Sequence, residues 1–332
     1  MNIDYPTYQE SDIEIAIRLI NAYRNSMSQD LGEFKNLVSD DLWTGIFNEP
    51  LIQQLINNLN NGDPVSLSKF LNSFGSNTWF GGIHLCNVNS DVSHELEKLC
   101  TYYSIAISDT DTSNDLINKL NNYLSVNIIT PLVMPIAGMK TESGTLNYRN
   151  TNSVYMANIL RNFTKPMDNI CEYGGGIGLN AYYLYNMNRK NVYLFDLPFV
   201  NVISGYFLIK ALGHDAVVLE GEKFKSDSIH VSAFWNCGNY EKDYFEITAN
   251  QDSFPEIAPS ILDKYFNIIE FNTKSYFFSI NHEDQRYYKG NIVPEAISNF
   301  SFYEKISRNT LALNVGEPTF TYYEELYKIN KM

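Results

Sequence analysis

Positive charge is scarce in this chain of 332 residues. Lysine and arginine together number 24 against 38 aspartates and glutamates, which gives a formal net charge of −14. A protein that neutralises nucleic-acid phosphates, or docks on an anionic lipid surface, needs an excess of positive charge over much of its surface. The composition therefore predicts no nucleic-acid partner and no electrostatic attachment to a membrane.

Cysteine and long apolar runs are lacking as well. The four cysteines, Cys86, Cys100, Cys171 and Cys237, are far apart and form no C-x-x-C pair, which argues against a zinc site and against a disulfide framework. No apolar run approaches the ~20 residues of a membrane span, and the start, MNIDYPTYQESD, has no basic segment followed by an apolar one. We therefore expect a cytoplasmic protein with free thiols.

Length and apolar content predict two structural units. A chain of 332 residues is long for one average domain, and 44% hydrophobic residues suffice for a large core. Within residues 1–140, apolar side chains recur at helical spacing, for example at Ile13, Ala16, Ile17, Ile20 and Tyr23. We therefore expect a helical N-terminal domain, which could serve as a lid, as part of a substrate pocket or as a homodimer interface.

Residues 141–332 follow a different pattern. Short β-rich runs such as NVYLFD, DAVVLEG and SYFFSIN alternate with helical ones, which is typical of βαβ units around a parallel sheet. The end of the chain, with FYEKISR and FTYYEELYKI, has the pattern of two more strands that could pair as an antiparallel edge. The expected fold class is α/β, with a mostly parallel, Rossmann-like sheet after the helical domain.

Residues 169–187, NICEYGGGIGLNAYYLYNM, combine an apolar strand, a run of glycines and a helical segment. In open α/β sheets such a turn lies at the edge where ligands bind, and glycine lets the backbone approach a ligand without a Cβ. A dinucleotide fingerprint fails because its third glycine position holds Leu179, and a phosphate-binding loop fails because no lysine follows. The residues instead spell an acid, one spacer and G-x-G-x-G, from Glu172 to Gly178.

A second acid follows the glycines at a spacing of about 20 residues. Asp196 ends the strand in NVYLFDLP, where a carboxylate can accept hydrogen bonds from both hydroxyls of a ribose. NAD offers the same ribose, so Asp196 alone does not identify the cofactor. The structural alternatives are a glycine turn that serves packing only and an acid at a solvated strand end.

The acid and the glycine run resemble the first motif of class I S-adenosylmethionine-dependent methyltransferases, and Asp-Leu-Pro at 196–198 is similar to a triplet of many small-molecule O-methyltransferases in that class. The resemblance implies S-adenosyl-L-methionine as the cofactor, with its methionine end against the turn and its ammonium group near Glu172. Arg149, just before the first helix of the second unit, could pair with the cofactor's carboxylate, or lie on the surface. The residues assigned to the cofactor are Glu172, Tyr173, Gly174, Gly176, Gly178, Asp196, Leu197 and Arg149.

The order EYGGGIG, FDLP, N-x-DSFPE and SIN resembles the bacterial sugar O-methyltransferase family over roughly residues 130–290. That resemblance implies methylation of a hydroxyl on a sugar or glycan precursor, as in polysaccharide biosynthesis. Two positions depart from the family pattern. Ile177 stands where an aromatic residue often follows the glycines, and His282 follows Asn281 without a family counterpart.

Methyl transfer to a hydroxyl needs a base, because the hydroxyl is a poor nucleophile until its proton leaves. His282 is the preferred candidate, since a neutral imidazole accepts a proton near pH 7. Asp252 could act as the base or orient His282, and Glu256 is a third candidate. For Glu256 the structural alternative is a capping box with Ser253 that starts the helix in PEIAPSILDKYF.

Two further alternatives remain for the activity. Asp252, Glu256, Glu283 and Asp284 offer oxygen ligands for a divalent cation, but acidic residues are plentiful in this chain and no metal is predicted. The acceptor could instead be a small aromatic or polyketide alcohol, since 24 tyrosines and 20 phenylalanines could line an apolar pocket. A non-catalytic scaffold that retains a cofactor pocket is the alternative outside the enzymes.

Overall fold

A twisted, mostly parallel sheet organises the second half of the chain. The computed structural model describes residues 9–29, 46–74, 92–134, 138–283, 290–311, 313 and 321–331. A short antiparallel pair, β1 (Met139–Thr141) and β2 (Gly144–Leu146), precedes the main sheet. The strands of the main sheet are β3 (Ile170–Tyr173), β4 (Val192–Asp196), β5 (Val217–Leu219), β6 (Ile229–Ala233), β7 (Phe245–Gln251), β8 (Thr273–His282), β9 (Tyr303–Thr310) and β10 (Tyr322–Ile329).

The strands lie side by side in the order β5-β6-β4-β3-β7-β8-β10-β9. All pairs from β5 to β8 are parallel, whereas β10 runs antiparallel to both β8 and β9. Strands β4 to β6 lie on one side of β3, and strands β7 to β10 lie on the other. The gap between the carboxyl ends of β3 and β7 is therefore a topological switch point. The antiparallel edge predicted from the last two β-rich runs is confirmed.

Helices precede the sheet and cover both of its faces. The helices before it are α1 (Ser11–Met27), α2 (Pro50–Asn61), α3 (Pro64–Ser73), α4 (Ser93–Tyr102) and α5 (Ser113–Leu124). Those within the α/β part are α6 (Tyr148–Phe163), α7 (Leu179–Asn186), α8 (Pro198–Leu212), α9 (Pro259–Asn272) and α10 (Val293–Ile297). The predicted fold class, an α/β protein with a Rossmann-like sheet after a helical region, is confirmed.

The two faces of the sheet enter separate apolar clusters. Along β4, Val192 and Leu194 pack in the cluster shared with the N-terminal helices, whereas Tyr193 and Phe195 join an aromatic cluster beneath α9. This alternation follows from the two-residue period of a strand. Because both faces are covered, every residue of β3 and β4 is buried, and the backbone turns that follow them are held firmly in place.

The first helix packs directly on the α/β part. The carboxylate of Asp12 is fully buried and its Oδ1 lies 2.5 Å from the Nζ of Lys210 on α8. On the same helix Arg18 pairs with Glu222 at 2.7 Å. Three of the predicted positions, Ala16, Ile20 and Tyr23, lie on the buried face of α1 together with Leu19, whereas Ile17 is 47% exposed. The division of the chain at residue 140 stays a prediction.

The structural alternative for Glu256, a capping box with Ser253 that starts a helix, is wrong. Residues Phe254–Glu256 form a short 3-10 turn, and α9 begins only at Pro259. Proline favours the first helical position and disfavours helical backbone in the residue before it, so Ala258 is extended and ends the turn. The Ser253 hydroxyl donates to the carbonyl oxygen of Tyr173 at 3.4 Å instead.

Three cysteines, Cys100, Cys171 and Cys237, are buried free thiols, and Cys86 lies outside the described residues. Among the helices that the structure describes, none combines the length and the apolar character that a membrane span requires. The cytoplasmic location stays a prediction.

Candidate functional site

A cavity opens at the carboxyl edge of the sheet, where β3, β4 and β7 end. It encloses about 800 Å³ of space between atoms, part of it open to solvent. The described residues that line it are Arg149, Asn152, Ser153, Glu172, Gly174, Gly175, Gly176, Ile177, Leu179, Asn180, Asp196, Val200, Gln251, Asp252, Ser253 and Glu256. Seven of the eleven residues predicted for the site, Arg149, Glu172, Gly174, Gly176, Asp196, Asp252 and Glu256, therefore meet at one place.

The glycines of the turn serve two different purposes. A Cβ on Gly174 would lie 2.1 Å from the Ser253 hydroxyl oxygen, and one on Gly175 would lie 1.8 Å from Leu194, so packing requires both. Gly176 has a φ of +55° and no atom within 4 Å of the position of a Cβ, so its exposed face opens onto the cavity. Only at Gly176 does the backbone offer the close approach that the sequence pattern predicts for the whole run.

Glu172, the last residue but one of β3, is buried without a full set of partners. Its side chain is 3% exposed and, among the described residues, Oε2 has no hydrogen-bond partner. Burial raises the pKa of this carboxyl to about 7; the nearby amide of Asn180 opposes that rise, and the charge of Asp196 adds to it. A carboxylate in this state is suited to a cationic ligand group.

Asp196 lies across the glycine turn, at the end of β4. Its Oδ2 accepts a hydrogen bond from the Gly176 amide at 2.9 Å and its Oδ1 accepts one from the Leu197 amide at 2.7 Å. Burial raises the pKa of Asp196 to about 7, and these two backbone bonds oppose that rise. Each oxygen keeps acceptor capacity, because an ionised carboxylate has about four lone-pair sites.

Tyr173, Gly178 and Leu197 are not among the described lining residues, although all were assigned to the cofactor. The ring of Tyr173 packs against Tyr265 at 4.8 Å in the aromatic cluster. Leu197 contributes its backbone amide to Asp196, and Gly178, with a φ of +88°, begins helix α7. These residues support the turn without lining the cavity.

A hydrogen-bonded cluster at the opposite wall joins three distant parts of the chain. The Asp252 carboxylate, which follows β7 with a φ of +59°, accepts from Arg149 Nη1 at 3.1 Å and from the Tyr322 hydroxyl at 2.8 Å. Arg149 also donates from Nε to the hydroxyl oxygen of Tyr148 at 3.1 Å. Asp252 is therefore held in place by a cation and a hydroxyl.

His282 and Glu256, the other candidate bases, occupy different positions. Glu256 ends the short turn after β7 and lines the cavity. His282 is the last residue of β8, is 6% exposed and contacts the ring of Tyr322 edge-on, with 5.5 Å between ring centres. It is absent from the described lining residues, but the Tyr322 that it contacts donates a hydrogen bond to Asp252, which lines the cavity.

Comparisons with known proteins give similarities at low identity. No protein-family model and no curated protein matches this chain. The chain is similar to geranyl diphosphate C-methyltransferase from Streptomyces coelicolor A3(2), solved with Mg²⁺, geranyl diphosphate and S-adenosyl-L-homocysteine (10% identity, 72% of this chain, 100% of that chain, TM-score 0.41). It is similar to magnesium protoporphyrin IX methyltransferase from Synechocystis PCC 6803 with bound SAM (8% identity, 72% and 92% of the chains, TM-score 0.40).

A third similar structure is the PH0226 protein from Pyrococcus horikoshii OT3 (12% identity, 55% and 91% of the chains, TM-score 0.41). At these identities and TM-scores the likeness is a general one.

Three features of the site were missed from the sequence. Asn152 and Ser153 on α6 and Asn180 on α7 line the cavity, and Tyr322 on β10 holds Asp252. The only local signal was at Asn180, a polar residue two positions after the last glycine in the otherwise apolar start of a helix. Within the described part of the chain, no group of three or more His, Cys, Asp or Glu side chains is placed to hold a metal ion, and Asp284 lies outside it.

Proposed function

We propose that this protein is an S-adenosylmethionine-dependent methyltransferase whose cofactor occupies the cavity beside the glycine turn. The observation that carries the proposal is the pair of buried carboxylates, Glu172 and Asp196, which line the cavity together with Gly176. Neither forms an ion pair within the described residues. Burying negative charge without a counter-charge is costly, so the site favours a cationic ligand and disfavours a dinucleotide with its pyrophosphate.

The residues present match the polar groups of this cofactor. Glu172 would accept from its ammonium group, and Asp196 would accept from its ribose hydroxyls while remaining bonded to the turn. Arg149, which keeps its guanidinium at the cavity wall through Asp252, would donate to its carboxylate. When bound, the cofactor supplies a methyl group on a positively charged sulfur.

The acceptor in this proposal is a hydroxyl of a sugar or glycan precursor. The wall that follows β7 consists of Gln251, Asp252, Ser253 and Glu256, all able to hydrogen-bond to a ligand with several hydroxyls. The apolar lining side chains Ile177, Leu179 and Val200 belong to the glycine turn and the starts of α7 and α8. A flat aromatic acceptor carries fewer hydroxyls with which this polar wall could form hydrogen bonds.

Glu256 is the base in this proposal. It lines the cavity, and a general base must lie within hydrogen-bond reach of the hydroxyl whose proton it accepts. Asp252 already accepts from Arg149 and Tyr322, so its role is to position the guanidinium. His282 is the alternative base, and the assay below separates the two.

Calorimetry with S-adenosyl-L-homocysteine tests the cofactor site. We expect the intact protein to bind it, and we expect Glu172→Gln and Asp196→Asn each to weaken binding about tenfold or more, which is the loss of one charge-assisted hydrogen bond. Glu246→Gln is the matched control, because Glu246 pairs with Lys274 outside the cavity. Heat on addition of NAD, with none on addition of S-adenosyl-L-homocysteine, would overturn the proposal.

A labelled-methyl assay tests the reaction. We expect transfer to free or nucleotide-linked sugars rather than to phenols, and we expect Glu256→Gln to lower turnover about 100-fold or more with cofactor affinity unchanged. Full turnover in Glu256→Gln together with its loss in His282→Ala would assign the proton to His282. Binding of S-adenosyl-L-homocysteine without transfer to any acceptor of a cell extract would identify a non-catalytic scaffold.

A further inference from the structure

The side chain of Asn180 is buried in a way that folding alone does not explain. It is 2% exposed, it lines the cavity, and neither its Oδ1 nor its Nδ2 has a hydrogen-bond partner among the described residues. Leaving a buried amide unpaired costs free energy, and buried polar groups in proteins are almost always paired. An unpaired amide that faces a cavity is therefore expected to be completed by a ligand.

Other buried amides nearby show that the fold can satisfy such groups. Asn250, at the same edge of the sheet, donates to the Tyr173 carbonyl oxygen at 2.8 Å and accepts from Asn281 at 2.9 Å. Asn150 on α6 donates to the Tyr183 hydroxyl at 3.0 Å. Asn180 differs from both in that it lies on the cavity wall.

Glu172 lies close to Asn180 and also has a buried polar atom without a hydrogen-bond partner among the described residues. The Asn180 amide is near enough to lower the pKa of Glu172, and among the described residues neither polar atom of the Asn180 side chain nor Glu172 Oε2 has a partner at hydrogen-bond distance and angle. The two side chains therefore present two unused acceptors, Glu172 Oε2 and Asn180 Oδ1, and one unused donor, Asn180 Nδ2. A ligand group that completes this set must carry a donor and an acceptor next to each other.

The geometry points to Asn180 as a cofactor-binding residue that works with Glu172 to recognise the α-amino-acid end of the ligand. This inference rests on the proposed function. An α-amino acid places an ammonium donor beside a carboxylate acceptor, which complements the unpaired atoms. Asp196, on the other side of Gly176, is left for the nucleoside end. The pair would thus discriminate S-adenosyl amino acids from nucleoside thioethers that lack the amino-acid group.

Two ligands that differ in this end test the inference by calorimetry. We expect the intact protein to bind S-adenosyl-L-homocysteine more tightly than 5′-methylthioadenosine, which has no amino-acid group. Asn180→Leu should weaken binding of the first about tenfold or more and change the second less than about twofold, because only the first uses the amide. Asn180→Ser, a smaller side chain that cannot clash, should show the same selectivity. Asn186→Ala is the control, since Asn186 is an exposed residue of the same helix that bonds only to the Tyr182 carbonyl oxygen.

Thermal unfolding of the ligand-free variants separates a binding role from a structural one. Asn180→Leu removes an unpaired buried amide, so we expect its Tm to rise by roughly 2–4 °C while its affinity for S-adenosyl-L-homocysteine falls. Equal loss of both ligands, or a lower Tm with unchanged affinity, would overturn the inference and leave the proposed function intact. An intact protein that binds neither ligand would overturn both.

Discussion

The surroundings of two residues, Glu172 and Asp196, determine how much negative charge the site carries. Burial raises the pKa of each to about 7, so near neutral pH each is only partly ionised in the ligand-free protein. In the unfolded chain both pKa values are lower, so the folded state binds more protons between the unfolded and folded values. The stability of the ligand-free protein should therefore fall as the pH rises through that window, from about 4 to about 7.

The same protonation gives a pH dependence of cofactor binding with the opposite sign. The ammonium group of the ligand favours an ionised carboxylate, so affinity for S-adenosyl-L-homocysteine should increase as the pH rises through 7. We expect binding at about pH 6 to be weaker than at about pH 7.5 by close to an order of magnitude for each carboxylate that must ionise. Calorimetry at the two pH values measures this, and Asp196→Asn should reduce the dependence. Affinity that is the same at both values would contradict the assignment.

At the scale of elements, the contact between α1 and α8 joins the helical region to the sheet. Asp12 is 0% exposed and pairs with Lys210, and it also accepts from the Gln9 backbone amide at 3.1 Å. A buried pair of this kind contributes little net stability, but removing one partner leaves an uncompensated buried charge. Helix α8 also packs against the glycine turn between β3 and α7, because Leu208 lies 3.0 Å from the position that a Cβ on Gly178 would occupy. The contact between α1 and α8 therefore supports the turn indirectly.

Removing the Asp12 carboxylate should therefore destabilise the fold, because Lys210 is left without its counter-charge. We expect Asp12→Ala to lower the free energy of unfolding by about 3–5 kcal/mol, and the double variant Asp12→Ala with Lys210→Met to recover much of that loss. Urea unfolding monitored by circular dichroism gives the values. Asp215→Ala, which removes an exposed ion pair with Lys225, is the control and should leave stability unchanged. A double variant no more stable than Asp12→Ala would show that the charge is not the cause.

At the scale of the whole molecule, the N-terminal helices and the sheet share one apolar cluster. Leu55 on α2, Leu96 on α4 and Leu120 on α5 belong to the same contiguous set as Ile170 on β3 and Ile203 on α8. Structures that share a core tend to unfold together. The predicted domains, residues 1–140 and 141–332, and the predicted homodimer interface on the first of them remain proposals.

We expect one cooperative unfolding transition for the whole chain. Far-UV and near-UV circular dichroism should give coincident urea curves, and S-adenosyl-L-homocysteine at about 100 times its Kd should raise the free energy of unfolding by about 2.7 kcal/mol in both. If two transitions separate and the ligand shifts only the later one, residues 1–140 form an independent unit.

Local sequence patterns were enough to predict the strands, the glycine turn and the two acids beside it. These are local features: a two-residue period specifies a buried strand, positive φ requires glycine at Gly174, Gly176 and Gly178, and an acid at a strand end is carried to the sheet edge with that strand. The resemblance on which the cofactor prediction relies lies in this stretch. The capping pattern at Ser253 did not start a helix, because Pro259 places the first turn of α9 six residues later. Both signals are local, and the proline was the stronger one.

Which polar side chains reach the cavity depends on contacts between segments that are distant in the sequence. Arg149 and Tyr322 reach Asp252 across 103 and 70 residues of sequence, so no local pattern could reveal that Asp252 is occupied or that His282 lies beside Tyr322. The unpaired state of Asn180 likewise depends on everything packed around it. Hydrogen bonds between distant segments form where packing brings the segments together, and packing is a property of the whole chain.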